Sequence, residues 1–129
     1  ESISESPLEF KGQFVDVYDP NLPVVNNVTL QPGQQTWLLD LNRLDANKAE
    51  PIASAGRFET WKQTDNGVEF TLSAPENVRI VSRVRLSKRP TSIAIGDQEL
   101  TDYQWHEASR AVFFESPAGT SGQPCRIRW

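Results

Sequence analysis

A period-two pattern of apolar and polar residues runs from Val78 to Leu86. Val78, Ile80, Val84 and Leu86 fall on one side of an extended chain, and Arg79, Arg83 and Arg85 on the other. Successive side chains of a strand point to opposite faces, so the pattern predicts a half-buried strand of an antiparallel sheet. A helix would also bring Ile80 near Val84, but β-branched residues in so short a segment favour the strand.

Similar segments recur along the chain. Leu8 to Tyr18 predicts one or two strands with a bulge or bend at Gly12. Asp19 to Pro23 holds two prolines and reads as a loop, followed by a strand over Val24 to Leu30. Pro32-Gly33 forms a turn, and Thr36 to Leu41 reads as a strongly apolar strand that takes Trp37 into the core. Asn42 to Glu50 has the only helical character, with an apolar face too thin for more than a turn or two. Asn66-Gly67 marks a hairpin between Ile52–Gln63 and the strand carrying Val68, Phe70 and Leu72. A two-residue turn sets Trp61 opposite Leu72, whereas a three-residue loop turns Phe58, Thr60 and Lys62 to that side. Packing two large apolar groups together favours the first register. Ile93–Ile95, Tyr103–His106, Ala111–Glu115 and Arg126–Trp129 complete about nine short strands. The predicted fold is an all-β antiparallel sandwich, immunoglobulin-like or jelly-roll-like. Residues 1–7 read as a flexible N-terminal segment, and 8–129 as a single domain.

Composition narrows the function. The chain has 129 residues, enough to bury a core without a metal or disulfide staple. Its net charge of -4, from 13 basic and 17 acidic residues, argues against nucleic acid as a partner. The lone Cys125 lies in a terminal strand and reads as a small apolar residue, since its one possible catalytic partner is His106. No apolar run is long enough to insert in a bilayer, and no secretion signal is visible. The absence of methionine implies a removed leader or a piece of a longer polypeptide.

Three groups of residues bear chemistry. Tyr103 and Trp105, beside a turn with polar neighbours, could stack on a sugar ring; their ordinary role would be to close the edge of the sandwich. Arg79, Arg83 and Arg85 could hold an anionic sugar or a partner's carboxylates through bidentate hydrogen bonds. Their ordinary role is cross-strand pairing with acids such as Glu69 or Glu59. Asp16, Asp19 and Asn21 could offer oxygen to calcium, but their spacing fits no compact loop motif. No nucleophile elbow, zinc-ligand pair or phosphate-cradling loop occurs, so neither catalytic residues nor a metal or other cofactor is expected. Asn27-Val28-Thr29 is a glycosylation sequon if the source glycosylates.

Two phrases carry a resemblance. One runs from Arg85 through Pro90, Ile93-Ala94-Ile95 and Gly96-Asp97 to Leu100, continuing through Tyr103-Gln104-Trp105-His106 to Phe114 and a last strand ending in Trp129. The other is Leu30-Gln31-Pro32-Gly33-Gln34-Gln35-Thr36-Trp37-Leu38-Leu39-Asp40. Together they resemble the C-terminal β-sandwich accessory domains that follow the catalytic domain in bacterial polysaccharide-degrading glycoside hydrolases, especially of gut Bacteroidetes. The resemblance implies an exported, non-catalytic domain that packs against an adjoining catalytic domain or holds polysaccharide. His106 stands where the similar phrase often carries an acid, which argues against a carboxylate role at that turn.

The expectation is therefore an accessory domain associated with carbohydrate-active proteins. One alternative is a carbohydrate-binding module using Tyr103 and Trp105, with Arg83 and Arg85, as the ligand surface. A second is a protein-interaction domain of a cell-envelope assembly. A third, a small sandwich enzyme, would need two carboxylates converging in one cleft.

Overall fold

The computed structural model describes residues 5–45 and 47–129. Twelve strands run through them: β1 (Leu8–Asp16), β2 (Val24–Leu30), β3 (Leu38–Asp40), β4 (Glu50–Ser54), β5 (Arg57–Thr64), β6 (Gly67–Ser73), β7 (Ile80–Arg85), β8 (Ser92–Ile95), β9 (Gln98–Leu100), β10 (Tyr103–His106), β11 (Ala111–Ser116) and β12 (Pro124–Arg128). The fold is all-β and its strand pairs are antiparallel. Where the sequence suggests one body over 8–129, the chain divides into two compact units, residues 1–45 and 46–129. The expectation of a flexible 1–7 falls partly on residues 1–4, outside the described residues; Glu5 to Pro7 are exposed and form no strand.

The first unit is a three-stranded sheet in the order β2-β1-β3. The bulge expected at Gly12 is present, between Phe10 and Gln13. Gly12 sits at φ +123°, a conformation that costs a residue with a Cβ, and its N–H donates to the Asn27 Oδ1. The buried apolar residues of this unit are Phe14, Val15, Leu22, Leu30 and Leu41. The segment read as helical gives a single 3-10 turn, Leu41–Arg43, capped by the Asp40 side chain. Thr36 to Leu41 yields only the short β3, and Trp37 lies outside it with 70% of its surface exposed. Its expected core position is thus corrected.

In the second unit two antiparallel sheets, β10-β11-β7-β4 and β5-β6-β12-β8-β9, face each other as a sandwich. Alternation decides which side chains meet between them. Ile80, Val84 and Leu86 join Val112 and Phe114 from one sheet; Val68, Phe70, Leu72, Ile93, Ile95, Cys125 and Ile127 come from the other. Val78, assigned to the same stripe, lies before β7 and is exposed. Ser82 falls on the apolar face by the same alternation, and its hydroxyl is 2.8 Å from the Ser54 hydroxyl, so neither is left bare.

The β5–β6 hairpin departs from both expected registers. Thr64 pairs with Gly67, so the two-residue turn is Asp65-Asn66. A bulge between Glu59 and Lys62, with Thr60 at φ 52°, then changes the alternation within β5. Phe58 pairs with Leu72, Trp61 stacks on Phe70, and both aromatics pack on the core. The extra residue removes the choice between them.

Candidate functional site

Tyr103, Trp105, Arg83 and Arg85 all lie on the β10-β11-β7-β4 sheet, but its register places them on opposite faces. Trp105 is in line with Val112 and Val84, and Tyr103 with Phe114 and Ser82. Those neighbours are fully buried between the sheets, so both aromatics pack against the core. Gln104 aligns with Phe113, Arg83 and Ala53, and His106 with Ala111, Arg85 and Glu50, on the outer face. The four candidates therefore do not converge on one ligand.

The polar atoms of the aromatic pair close their own surroundings. The Trp105 Nε1–H donates to the Glu107 carboxylate at 2.5 Å, and the Tyr103 hydroxyl is 3.5 Å from the Pro90 carbonyl. His106 locks the turn that follows: its Nδ1 accepts the Ser109 N–H at 3.2 Å and lies 2.6 Å from the Ser109 hydroxyl. Taking the backbone N–H requires an unprotonated Nδ1, which leaves the ring proton on Nε2.

On the outer face Arg83 is only 7% exposed, with its guanidinium 5.2 Å from the centre of the Phe113 ring. Burial lowers its pKa below the ordinary arginine value. Arg79 instead lies in solvent and binds the Glu115 carboxylate, whose hydrogen bond and charge raise its value. Arg85 stands opposite Glu50. The expected partners Glu69 and Glu59 are on the other sheet: Glu69 lies between Lys62 and Arg126, and Glu59 beside Arg57. That pairing expectation is corrected, since Arg79 and Glu69 belong to different layers.

Asp16 and Asp19 brace their loop. The Asp16 Oδ1 accepts the Tyr18 N–H at 2.9 Å and the Asp19 Oδ1 the Asn21 N–H at 2.8 Å. Among the described residues no three His, Cys, Asp or Glu side chains are grouped to hold a metal ion.

The two most exposed aromatics are elsewhere. Trp37 and Tyr18, at 70% and 65% exposure, stand in the first unit. The Val17 N–H donates to the Trp37 carbonyl at 2.8 Å, one step past the ladder pair Asp16–Leu38, so Val17 is the position beside Trp37 and Tyr18 is the next residue along. Sequence reasoning missed both. The available signal was polarity: Trp37 follows Gln34-Gln35-Thr36, and Tyr18 enters Asp19-Pro20-Asn21.

Cys125 sits on β12 between Phe70 and Ile95 and is fully buried. Burial pushes its thiol up to about 12 against an ordinary 9.0, with Arg126 pulling weakly the other way. Well below pH 9 the thiol is neutral whether folded or unfolded. As pH climbs from about 9 toward 12 the unfolded chain ionises first, so stability falls on the order of 1.4 kcal/mol per pH unit. Urea midpoints between pH 8 and 11 should drop more steeply for the wild type than for Cys125→Ala. Parallel pH curves for the two would contradict the assignment.

Comparison with protein families, curated proteins and solved structures finds no match to this chain. No helix among the described residues is long and apolar enough to cross a membrane.

Proposed function

We propose that the chain is a non-catalytic accessory module of an exported carbohydrate-active protein, working through rigid surfaces against an adjoining catalytic domain or a polysaccharide. The observation that carries this reading is the filled interior of the sandwich. Apolar side chains from both sheets occupy the space between them, which leaves the outer surfaces for contact. On those surfaces Glu115 is ion-paired with Arg79, and Glu69 stands in register between Lys62 and Arg126. A carboxylate held by a cation, as Glu115 is by Arg79, is poorly suited to act as one of a converging acid and nucleophile. The family resemblance in the Arg85–Phe114 phrase supplies the carbohydrate context.

A second reading, carbohydrate binding through surface aromatics, is favoured by the exposure of Trp37 and Tyr18. It moves the ligand surface away from Tyr103, Trp105, Arg83 and Arg85.

Incubating the purified chain with polysaccharides and chromogenic glycosides should release no reducing sugar or chromophore above a buffer blank. Release that disappears when a single Asp or Glu is changed to its amide would overturn the non-catalytic reading.

A further inference from the structure

We propose that a surface cavity between the β6–β7 and β11–β12 loops of the second unit binds an amine-bearing pyranose, with Glu76 as the partner of its ammonium group. The choice of a sugar rests on the carbohydrate context of the reading above; the cavity stands on its own geometry.

Residues 74–79 join β6 to β7, and residues 117–123 join β11 to β12. The second loop is tied to the end of β6: the Ala74 N–H donates to the Ser121 Oγ at 3.0 Å, and the Gly122 N–H to the Leu72 carbonyl at 2.8 Å. Between them the loops line a cavity of about 520 Å³, inside the roughly 300–1,000 Å³ range of small-ligand sites. Residues of both loops line it, so they share one surface. A Cβ at Gly119 would meet nothing within 4 Å, which leaves that wall open to a ligand.

Each loop is also closed on itself. The Val78 N–H donates to the Pro75 carbonyl at 3.3 Å, the Thr120 Oγ1 to the Pro117 carbonyl at 2.7 Å, and the Gln123 N–H to the Thr120 carbonyl at 3.1 Å. Asn77 and Gly119, at φ 66° and 85°, take the left-handed backbone that these two residue types tolerate. A cavity whose walls are held before the ligand arrives loses less entropy on binding.

The lining selects the ligand. Ala74, Pro75, Val78 and Ala118 give it apolar area, which suits the C–H face of a pyranose. Asn77 brings an amide, and the Ser121 hydroxyl, which accepts the Ala74 N–H, keeps its own proton to donate to a sugar oxygen. Among the described residues, Glu76 is the one ionisable group of the lining. The cations that adjoin the β6–β7 loop are engaged elsewhere. Arg79 binds the Glu115 carboxylate, and Arg57, paired with Ser73 in the ladder, lies 3.7 Å from Glu59. The cavity therefore favours a positive ligand. One carboxylate is too few for a metal ion, which takes several oxygen ligands. No aromatic ring among the described residues lines the cavity, so a quaternary ammonium would lack its cage. A primary ammonium, with three N–H donors, fits the set.

Backbone amide NMR of the full chain, titrated at constant ionic strength with glucosamine, N-acetylglucosamine, glucose or n-butylammonium, tests the proposal. Glucosamine should give saturable shifts confined to the amides of 74–78 and 118–122, and the other three much weaker ones. Glu76→Gln should weaken glucosamine binding roughly tenfold, the scale of losing a charged hydrogen bond. Ala118→Trp should abolish it by filling the cavity. Glu99→Gln removes the same charge from an exposed residue of β9 and should leave binding unchanged. Glu76 and Ala118 are exposed, so circular dichroism of both variants should match the wild type. Absence of saturable shifts in these loops overturns the site. Binding that survives Glu76→Gln, or is equally tight for glucose, overturns the ammonium recognition while the carbohydrate reading stands. Equal binding of n-butylammonium overturns the sugar and leaves the cavity a plain ammonium site.

Discussion

Phe70→Ala should destabilise the sandwich by about 3–5 kcal/mol, the range for deleting a buried aromatic ring. Phe70 is fully buried on β6, between β5 and β12, opposite Cys125. Trp61 stacks on it at 4.9 Å and 21°, and Phe58 lies tilted at 5.4 Å. Neither neighbour can fill the space without leaving the bulged strand that positions it. A small domain is stable by roughly 5–15 kcal/mol in all, so this loss takes a large share. Urea unfolding followed by circular dichroism measures it, and Trp61 emission should move to longer wavelength as its stacking partner goes. A shift below about 1 kcal/mol would mean that β5 collapses into the cavity, and that Phe70 is less central than its contacts indicate.

Much of this layer was legible in the sequence because alternation is local. Ile80, Val84 and Leu86 pointed inward and the arginines outward as their spacing required. Period two says only which residues share a side, however. Tyr103 and Trp105 share one, and Arg83 and Arg85 share another. Which side faces the core was settled by the pairing of β10 with Val112 and Phe114, contacts that belong to β11. Grouping aromatics and arginines as one site failed at that step.

Trp37 failed for a different reason. The run Trp37-Leu38-Leu39 is apolar without alternating, so its sequence gave no face, and strength of hydrophobicity stood in for position. Only three residues enter the ladder, and the strand ends before it reaches the indole. The bulge at Thr60 was equally hidden: a positive φ on a threonine is paid for by placing both Phe58 and Trp61 inward, a gain that exists only once β6 lies alongside. Division into two units left no mark either, since Asn42 to Glu50 lacks the Pro, Gly or Ser enrichment of a linker.

Gly67→Val should cost about 3 kcal/mol, at the upper end for forcing extra atoms into a packed interior. The reason is contact rather than backbone freedom. Gly67 does not lie in the left-handed region, and neither Asp65 nor Asn66 has a positive φ. A Cβ on Gly67 would instead come 2.7 Å from the Ile127 carbonyl oxygen on the adjacent strand. That oxygen belongs to backbone in the middle of the sheet, so relief requires β12 to move away from β6. Movement there strains the bond by which the Trp129 N–H reaches the Asn66 carbonyl at 3.0 Å. Asn66→Ala makes the discriminating comparison. It gives up only the contact with the Thr64 hydroxyl at 3.2 Å, so its cost should stay below about 1 kcal/mol. Were the hairpin instead turned at Asn66-Gly67 with positive φ angles, Asn66→Ala would be the damaging change, through strain at a left-handed position. Urea midpoints of the two variants therefore decide the register: a large loss for Gly67→Val beside a small one for Asn66→Ala supports the Asp65-Asn66 turn, and the reverse order refutes it.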